Sequence, residues 1–261
     1  MMVPVERTPD DAPQAGVAGP DWRNRLYSAY VSSGQAGGAR LHARPFAAAD
    51  YPYFQYLVRT ALSGDREQRI LDLGCGHGAL VQCCRAAGYR RVRGIDVSAE
   101  QIELARRRGA EDVHCASLAG FLRTDDAWYD VVFLLDVLEH FTRAELFEVL
   151  DLVRRRLAPG GRLVIHVPNG AGLFGMRVRY GDLTHEGCFT PRSIEQLLHA
   201  TGFGAVRVYE DKPLPRGVRG RLRRILWHLM TAWPRLLLTV ETGTHCHVLS
   251  QNMLVIADDD A

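Results

Sequence analysis

The chain has 261 residues, of which 47% are hydrophobic and 24% charged, and a formal net charge of +2. That length suits one large α/β domain with additions, and the near-neutral balance excludes a general attraction to nucleic acid. No apolar run reaches the roughly 18 residues that a membrane span needs.

Residues 1–20 are polar and rich in Pro, Ala and Gly, without the apolar core of a signal peptide, and are predicted to be a disordered tail. Asp21 then caps a predicted helix carrying Trp22, Leu26 and Ala29 or Tyr30 on one face. A Gly/Ala/Pro-rich stretch over 34–52 follows, then a helix over 53–62; together 21–65 form an N-terminal helical cap. From Arg69 strands and helices alternate. "RILDLG", "RVRGIDV", "DVHCA", "YDVVFLLD" and "GRLVIHVPN" read as five strands. Helices "ALVQCCRAAG" and "AEQIELARRRG" lie between them, the second behind a Ser98/Gln101 capping box. A third helix follows a Thr142/Glu145 box and carries Leu146, Val149, Leu150, Val153 and Leu157. After an arm over 170–190, Thr190-Pro191 opens another helix, "AVRVYE" is a strand, 216–240 is a helical insertion and 247–256 is the last strand. Such alternation predicts an α/β, Rossmann-like, mostly parallel sheet with helices on both faces, in a domain over 66–261. Lys212 is the only lysine among the cations, which reads as the codon bias of a GC-rich, bacterial genome. Cys75, Cys83, Cys84, Cys115, Cys188 and Cys246 form no C-x-x-C pair and read as reduced thiols of a cytoplasmic protein.

"DLGCGHG" sits between the first strand and its helix, where Gly74 and Gly76 let a ligand approach the backbone. Asp96, twenty-two residues beyond Gly74 at the end of the second strand, is placed to accept both hydroxyls of a ribose. Asp72 chooses between nucleotide ligands. Its carboxylate would repel a pyrophosphate but suits a ligand with a positive amino group beside a ribose, as in S-adenosylmethionine.

"ILDLGCGHG", "GIDVS" and "LAPGGRLVI", in this order, resemble the class I S-adenosylmethionine-dependent methyltransferases over about residues 66–212 and the last strand. The resemblance implies seven strands with the last antiparallel. It implies that Asp72, Gly74 and Gly76 hold the methionine part and Asp96 the ribose, within a cofactor set that also holds Cys75, Val97, Ser117, Leu118 and Leu135. Ser117 stands where the family often has an adenine-binding Asp, and Leu135 is expected against the nucleoside.

Three places could activate an acceptor. Asp136, Glu139 and His140 follow the fourth strand; "DVLEH" is similar to ubiquinone-biosynthesis O-methyltransferases, some of which hold a divalent metal on E-x-x-E-H. Asp136 has a shorter arm than that pattern's first Glu, so no metal is assigned. The second place, 179–193, contains Asp182, His185 and Glu186, and its wider stretch is similar to a bacterial subfamily from polysaccharide gene clusters. The third is His166 and Asn169, where Asn169 could bond substrate. His185 is slightly favoured over His140 as the base, with Asp182 beside it. The leading function is O-methylation of a sugar or glycan hydroxyl. Alternatives are a small aromatic or polyketide O-methyltransferase and a non-catalytic cofactor-binding module; a nicotinamide oxidoreductase is disfavoured by Asp72. The insertion begins with five arginines in nine residues and carries an apolar stripe, with Pro234 expected to kink or break it. It suits packing on the core or on a homodimer partner, lying on a membrane surface at its cytoplasmic face, or lining an acceptor groove.

Overall fold

A computed structural model describes residues 22–28 and 46–259. The expected tail, the Asp21 cap, Ala29 and Tyr30 lie outside those residues. Helix α1 (Trp22–Ser28) is followed by a short 3-10 turn and by α2 (Pro52–Ala61). Then come β1 (Arg69–Leu73), α3 (Ala79–Ala86), β2 (Arg91–Asp96), α4 (Ala99–Arg107), β3 (Val113–Cys115), α5 (Leu118–Thr124) and β4 (Tyr129–Leu135). The second half holds α6 (Arg143–Arg156), β5 (Leu157–Pro168), α7 (Gly175–Arg179), α8 (Pro191–Ala200), β6 (Val206–Glu210), α9 (Gly217–Thr242) and β7 (Asn252–Asp258).

The seven strands form one sheet in the order β3-β2-β1-β4-β5-β7-β6. β7 runs antiparallel to both its neighbours and the other described pairings are parallel, as expected. The central strands are buried on both faces, which explains their unbroken apolar runs. Leu71, Leu73, Val132, Leu134, Leu163 and Ile165 join a core with α5, α6 and α8. Ile70, Val131, Phe133 and Val164 join a second core, with α2, α3 and α4, on the other face.

Four local expectations change. Thr142 and Glu145 form the full reciprocal capping box, but at Ser98 the box is half made: its side chain accepts from the Gln101 amide, with no return bond from the Gln101 side chain. Helix α5 was not predicted; Ser117 caps it by accepting from the Gly120 amide. The last strand begins at Asn252 rather than 247, because the preceding backbone is bonded by side chains instead of a strand: Asn169 Nδ2 donates to Val248 O and Ser250 O, and the Leu249 amide donates to Glu210. Helix α9 runs through Pro234 without ending. The carbonyl that Pro234 leaves without a donor belongs to exposed Met230, where water can serve it.

The turn into α3 tests the glycine loop. Gly78 has φ +74, and a Cβ there would lie 2.8 Å from the Ala110 Cβ and 3.1 Å from the Ala105 Cβ. Gly78→Ala is expected to lower unfolding stability by about 2–4 kcal/mol through left-handed strain and overpacking. Gly64→Ala, where nothing lies within 4 Å, stays within about 1 kcal/mol of the parent in the same urea titration.

Candidate active site

The carboxyl ends of β1, β2 and β4 open onto a cavity of about 300 Å³. Of the predicted cofactor residues, Gly74, Gly76, Asp96, Val97, Ser117 and Leu118 line it, as do Asp136 and His140. The glycine loop makes this possible: Gly74 has φ +82, and a Cβ there would fall 2.3 Å from Val137 Cγ2. Asp96 Oδ2 accepts from the Gly76 amide at 2.8 Å and Oδ1 from the Ser98 amide at 2.8 Å. These bonds counter burial, which still leaves the Asp96 carboxyl above its ordinary pKa. Each oxygen keeps a lone-pair site for a ligand hydroxyl.

Asp72 sits below the loop, 3% exposed and with no hydrogen-bond partner among the described residues. Burial, and secondarily the charge of Asp96, push its carboxyl up to about 8. A buried carboxylate left without donor or cation is costly. The orphaned oxygens therefore fit a ligand that brings a positive amino group, and the left-handed glycines leave room for its backbone-close approach.

Besides Asp72, which lies beneath the loop, two predicted cofactor residues do not line the cavity. Cys75 is buried against Gly94, where an added Cβ would be 2.8 Å from its sulfur, and burial raises its thiol pKa. Leu135 packs against the core that holds Phe133, on the α2 side. Val137 and Phe141 take the apolar wall instead, and Arg23, Tyr27, Ser98 and Gln101 complete the lining. The buried Gln101 Oε1 has no partner. Arg23 and Tyr27 come from α1, which covers this end of the sheet: Arg23 donates to Glu145 at 2.6 Å and to Glu186 at 2.9 Å, and Ser98 Oγ donates to Tyr27 O.

Past β4 the three ionisable groups separate. Asp136 adopts φ +54, a left-handed conformation that Asp tolerates better than most residues. Its Oδ1 meets His166 Nδ1 at 2.7 Å, and His166 Nε2 meets Asp211 at 3.3 Å. Surrounding protein works against the Asp136 charge although its side chain is open to the cavity, but the adjoining His166 outweighs this and the net shift is down. His166, neither a free ligand nor an apolar core residue, is pushed up to about 10: burial opposes its charge and the two carboxylates prevail. Glu139 turns inward, 1% exposed, and neither of its carboxyl oxygens has a partner. Burial, with the Asp136 charge second, raises its pKa well above the ordinary range.

His140 Nδ1 lies 2.8 Å from Thr184 Oγ1, and Thr184 Oγ1 donates to Asp182 Oδ1 at 2.6 Å. Since the hydroxyl proton is spent on Asp182, the Thr184 oxygen accepts from His140 Nδ1–H. This leaves the lone pair on Nε2. Burial, and then His185, lower the His140 pKa, so the neutral ring dominates at neutral pH. His185 packs edge-on to His140 with ring centroids 4.8 Å apart, donates from Nδ1 to Val178 O, and points Nε2 at Glu139 Oε1 at 4.0 Å. It does not line the cavity. One ligand atom each of Glu139, His140 and His185 lies within 4.8 Å of the others. Thr184, 1% exposed, carried no signal in the sequence beyond its place in a polar loop. Asn169, predicted as a substrate contact, is fully buried and spends its amide on the backbone at Val248, Ser250 and Ala171.

A family model described as a methyltransferase domain matches residues 45–208, well over half of the chain. Over 116 residues the chain is 32% identical to a ubiquinone biosynthesis O-methyltransferase of Xylella fastidiosa, covering 42% of this chain and 45% of that protein. It is 35% identical over 115 residues to a 27-O-demethylrifamycin SV methyltransferase of Amycolatopsis mediterranei, covering 40% and 42%. Each match thus spans less than half of its relative. The structure of a SAM-dependent methyltransferase from Archaeoglobus fulgidus has the same fold, with a TM-score of 0.59 at 21% identity over 88% of this chain and 98% of that one. By its matched domain, its sheet order and its glycine loop with the paired acids, the chain belongs to the methyltransferase domain family, of the class I, S-adenosylmethionine-dependent kind.

Proposed function

We propose that the protein transfers the methyl group of S-adenosylmethionine to a hydroxyl oxygen of a sugar or glycan, with His140 as the base. The observation that carries the base is the Asp182–Thr184–His140 relay, which fixes the tautomer and leaves the Nε2 lone pair free on a ring that lines the cavity. Asp72 would take the ammonium of the methionine part, Asp96 the ribose hydroxyls, and Leu118, Val137 and Phe141 the apolar faces of the nucleoside. The acceptor oxygen attacks the methyl carbon in line and forms the O–C bond. The C–S bond breaks, its electron pair returns to sulfur as S-adenosylhomocysteine, and the hydroxyl proton passes to His140 Nε2. Most of the rate comes from positioning, and the base adds about 10²–10⁴.

His185, favoured by the sequence, is in this reading a packing partner of His140, and Asp182 acts through Thr184. The sugar acceptor rests on the likeness of the arm to the polysaccharide-cluster subfamily. The relatives named for ubiquinone biosynthesis and for a rifamycin support a small-molecule hydroxyl more generally, and an aromatic or polyketide acceptor is the alternative. A module that binds cofactor without turnover would have no use for the relay.

A second reading is favoured by the orphaned Glu139 carboxylate. Glu139, His140 and His185 would hold a divalent cation, His185 taking the place in the set that Asp136 loses to His166. Bound there, a cation would polarise an acceptor oxygen as a Lewis acid. The two readings compete for the same Nε2 lone pair.

Methyl transfer followed by mass spectrometry over sugar nucleotides, lipid-linked glycans and phenolic or polyketide hydroxyls tests the acceptor; turnover confined to phenols would overturn the sugar reading. His140→Ala is expected to lower kcat by about 10²–10⁴ with S-adenosylhomocysteine affinity unchanged. Thr184→Val should cost less, on the order of tenfold, because it loosens the tautomer but leaves the imidazole. With wild-type protein, kcat should fall on the acid side as His140 protonates and be flat through neutral pH. Complete loss of activity after chelation, restored by one metal per chain, would transfer the role to the cation.

Asp72 gives a separate test. Its carboxyl holds a proton up to about pH 8 in the free protein, so affinity for S-adenosylhomocysteine should strengthen with rising pH, by up to about tenfold per unit, and level off near 8. Calorimetry on Asp72→Asn should show weak, pH-independent binding. Because the folded-state pKa lies above the unfolded one, the stability linked to this proton is present in acid and is lost as pH rises toward 8. Asp72→Asn should therefore raise the melting temperature of the ligand-free protein more at pH 8 than at pH 5.

A further inference from the structure

Helix α9 presents its apolar side to solvent. With about 3.6 residues per turn, Leu222, Ile225, Leu229, Trp233, Leu236 and Val240 fall on one side, and each is at least 54% exposed. Thr231, the buried residue of the helix, lies on the opposite side. The stripe therefore points away from the side of the helix that holds Thr231, and it packs on no core of the described residues. A continuous apolar face of this length calls for a covering surface.

The charges identify the cover. Arg221 borders the stripe on one edge and Arg219 and Arg223 on the other, and none of the three has an ion pair or hydrogen bond among the described residues. Glu241 is the one acid in the helix. Beside the N-terminal half, along the Arg219/Arg223 edge, a groove of about 700 Å³ is lined by Lys212, Arg216, Arg219 and Arg223. Its acid, Asp211, is already engaged by His166. A two-fold pairing of this face with a second copy would have to match a surface rich in unpaired cations with itself, and the helix offers one carboxylate to neutralise them. An anionic lipid surface satisfies both halves of the pattern. Acyl chains receive the outward stripe, phosphates meet the flanking arginines, and the groove gives a headgroup a recess.

We infer that α9 lies flat on the surface of a bilayer containing anionic phospholipid and docks the protein there without spanning it. No helix among the described residues is long and apolar enough to cross a membrane. Docking would bring the 170–190 arm near the same surface: Arg235 of α9 donates to His247 O, and Leu173 of the arm donates its amide to Leu249 O, so helix and arm hang from one segment. The arm adds exposed Phe174, Met176, Tyr180 and Leu183. This inference is independent of which acceptor the site methylates.

Co-flotation of the full chain with vesicles tests it. Binding to phosphatidylglycerol vesicles should exceed binding to phosphatidylcholine vesicles by roughly 100-fold at low salt, from three unpaired arginines at the surface, and should weaken as salt rises. Leu229→Asp/Trp233→Asp should abolish flotation, and Arg219→Ser/Arg221→Ser/Arg223→Ser should remove the lipid preference. Both variants should keep the parental melting temperature, because every altered side chain is exposed. No flotation, or equal flotation with both lipids, overturns the inference. So does a dimer in analytical ultracentrifugation that Leu229→Asp/Trp233→Asp dissociates, since a second copy would then cover the stripe.

Discussion

A carboxylate taken out of water must find a countercharge, keep its proton, or wait for a ligand. At the carboxyl end of this sheet Asp136 stays open to the cavity and pairs with His166, while burial raises the pKa of the enclosed Glu139. Asp72 waits, buried under a glycine loop whose left-handed turns bring in backbone but no side chain that could answer it. The cavity above follows from that. With no arginine or lysine of the sheet to neutralise Asp72, the charge has to arrive with whatever enters, and the entrance is floored by glycines and walled by Leu118, Val137 and Phe141. A cationic amino group attached to a flat, partly apolar body fits such a place; a pyrophosphate does not.

The divergence of Asp136 and Glu139 has a backbone origin. Asp136 lies just past the end of β4, where its amide donates to His166 O and its left-handed φ swings the carboxylate across toward the His166 ring. The chain then turns once through a 3-10 segment with Leu138 fully buried, and Glu139 is carried inward with it. Three residues apart in sequence, the two acids end in opposite environments: one lowered in pKa by His166 at the cavity, one raised by burial. Environments that push two carboxyl groups apart in this way assign them different work. Here Asp136 lies at the cavity and buried Glu139 lies beside the two imidazoles.

Much of this was legible in the sequence because it is local. Strand, glycine turn, helix and second-strand acid are short-range patterns, and Gly74, Gly76, Asp96 and the Thr142 capping box are where spacing puts them. The mostly parallel sheet followed from alternation, and its seven strands with an antiparallel last one from the family resemblance. What escaped was side-chain direction and long-range pairing. A strand period of two cannot say that Leu135 faces α2 while Val137 reaches the glycine loop. No spacing rule joins Asp136 to His166 across thirty residues, or His140 to Thr184 across forty-four. Asn169 looked like a ligand because polar residues at strand ends often are; its amide is instead what holds the chain entering β7. The insertion was legible as an amphipathic helix, but its outward orientation needed the position of Thr231.

The relay and the cluster also depend on a contact that side-chain chemistry alone would not suggest. The carbonyl oxygen of Glu139 accepts from both the Glu186 and Gly187 amides, at 2.8 and 3.1 Å. That pair pins the arm to the loop after β4, within one residue of His185 and two of Thr184. Arg23 then bridges Glu186 of the arm to Glu145, the residue whose other carboxyl oxygen caps α6. Each exposed ion pair contributes little by itself, about 0–1 kcal/mol. Their value is geometric: the lid helix, the arm and the first turn of α6 share one guanidinium, and the arm shares one carbonyl with the segment that carries His140. The distance between His140 and its tautomer-fixing hydroxyl is thereby set by main chain on both sides. Side-chain torsions adjust within that frame, and the Thr184 hydroxyl stays within hydrogen-bond reach of His140 Nδ1.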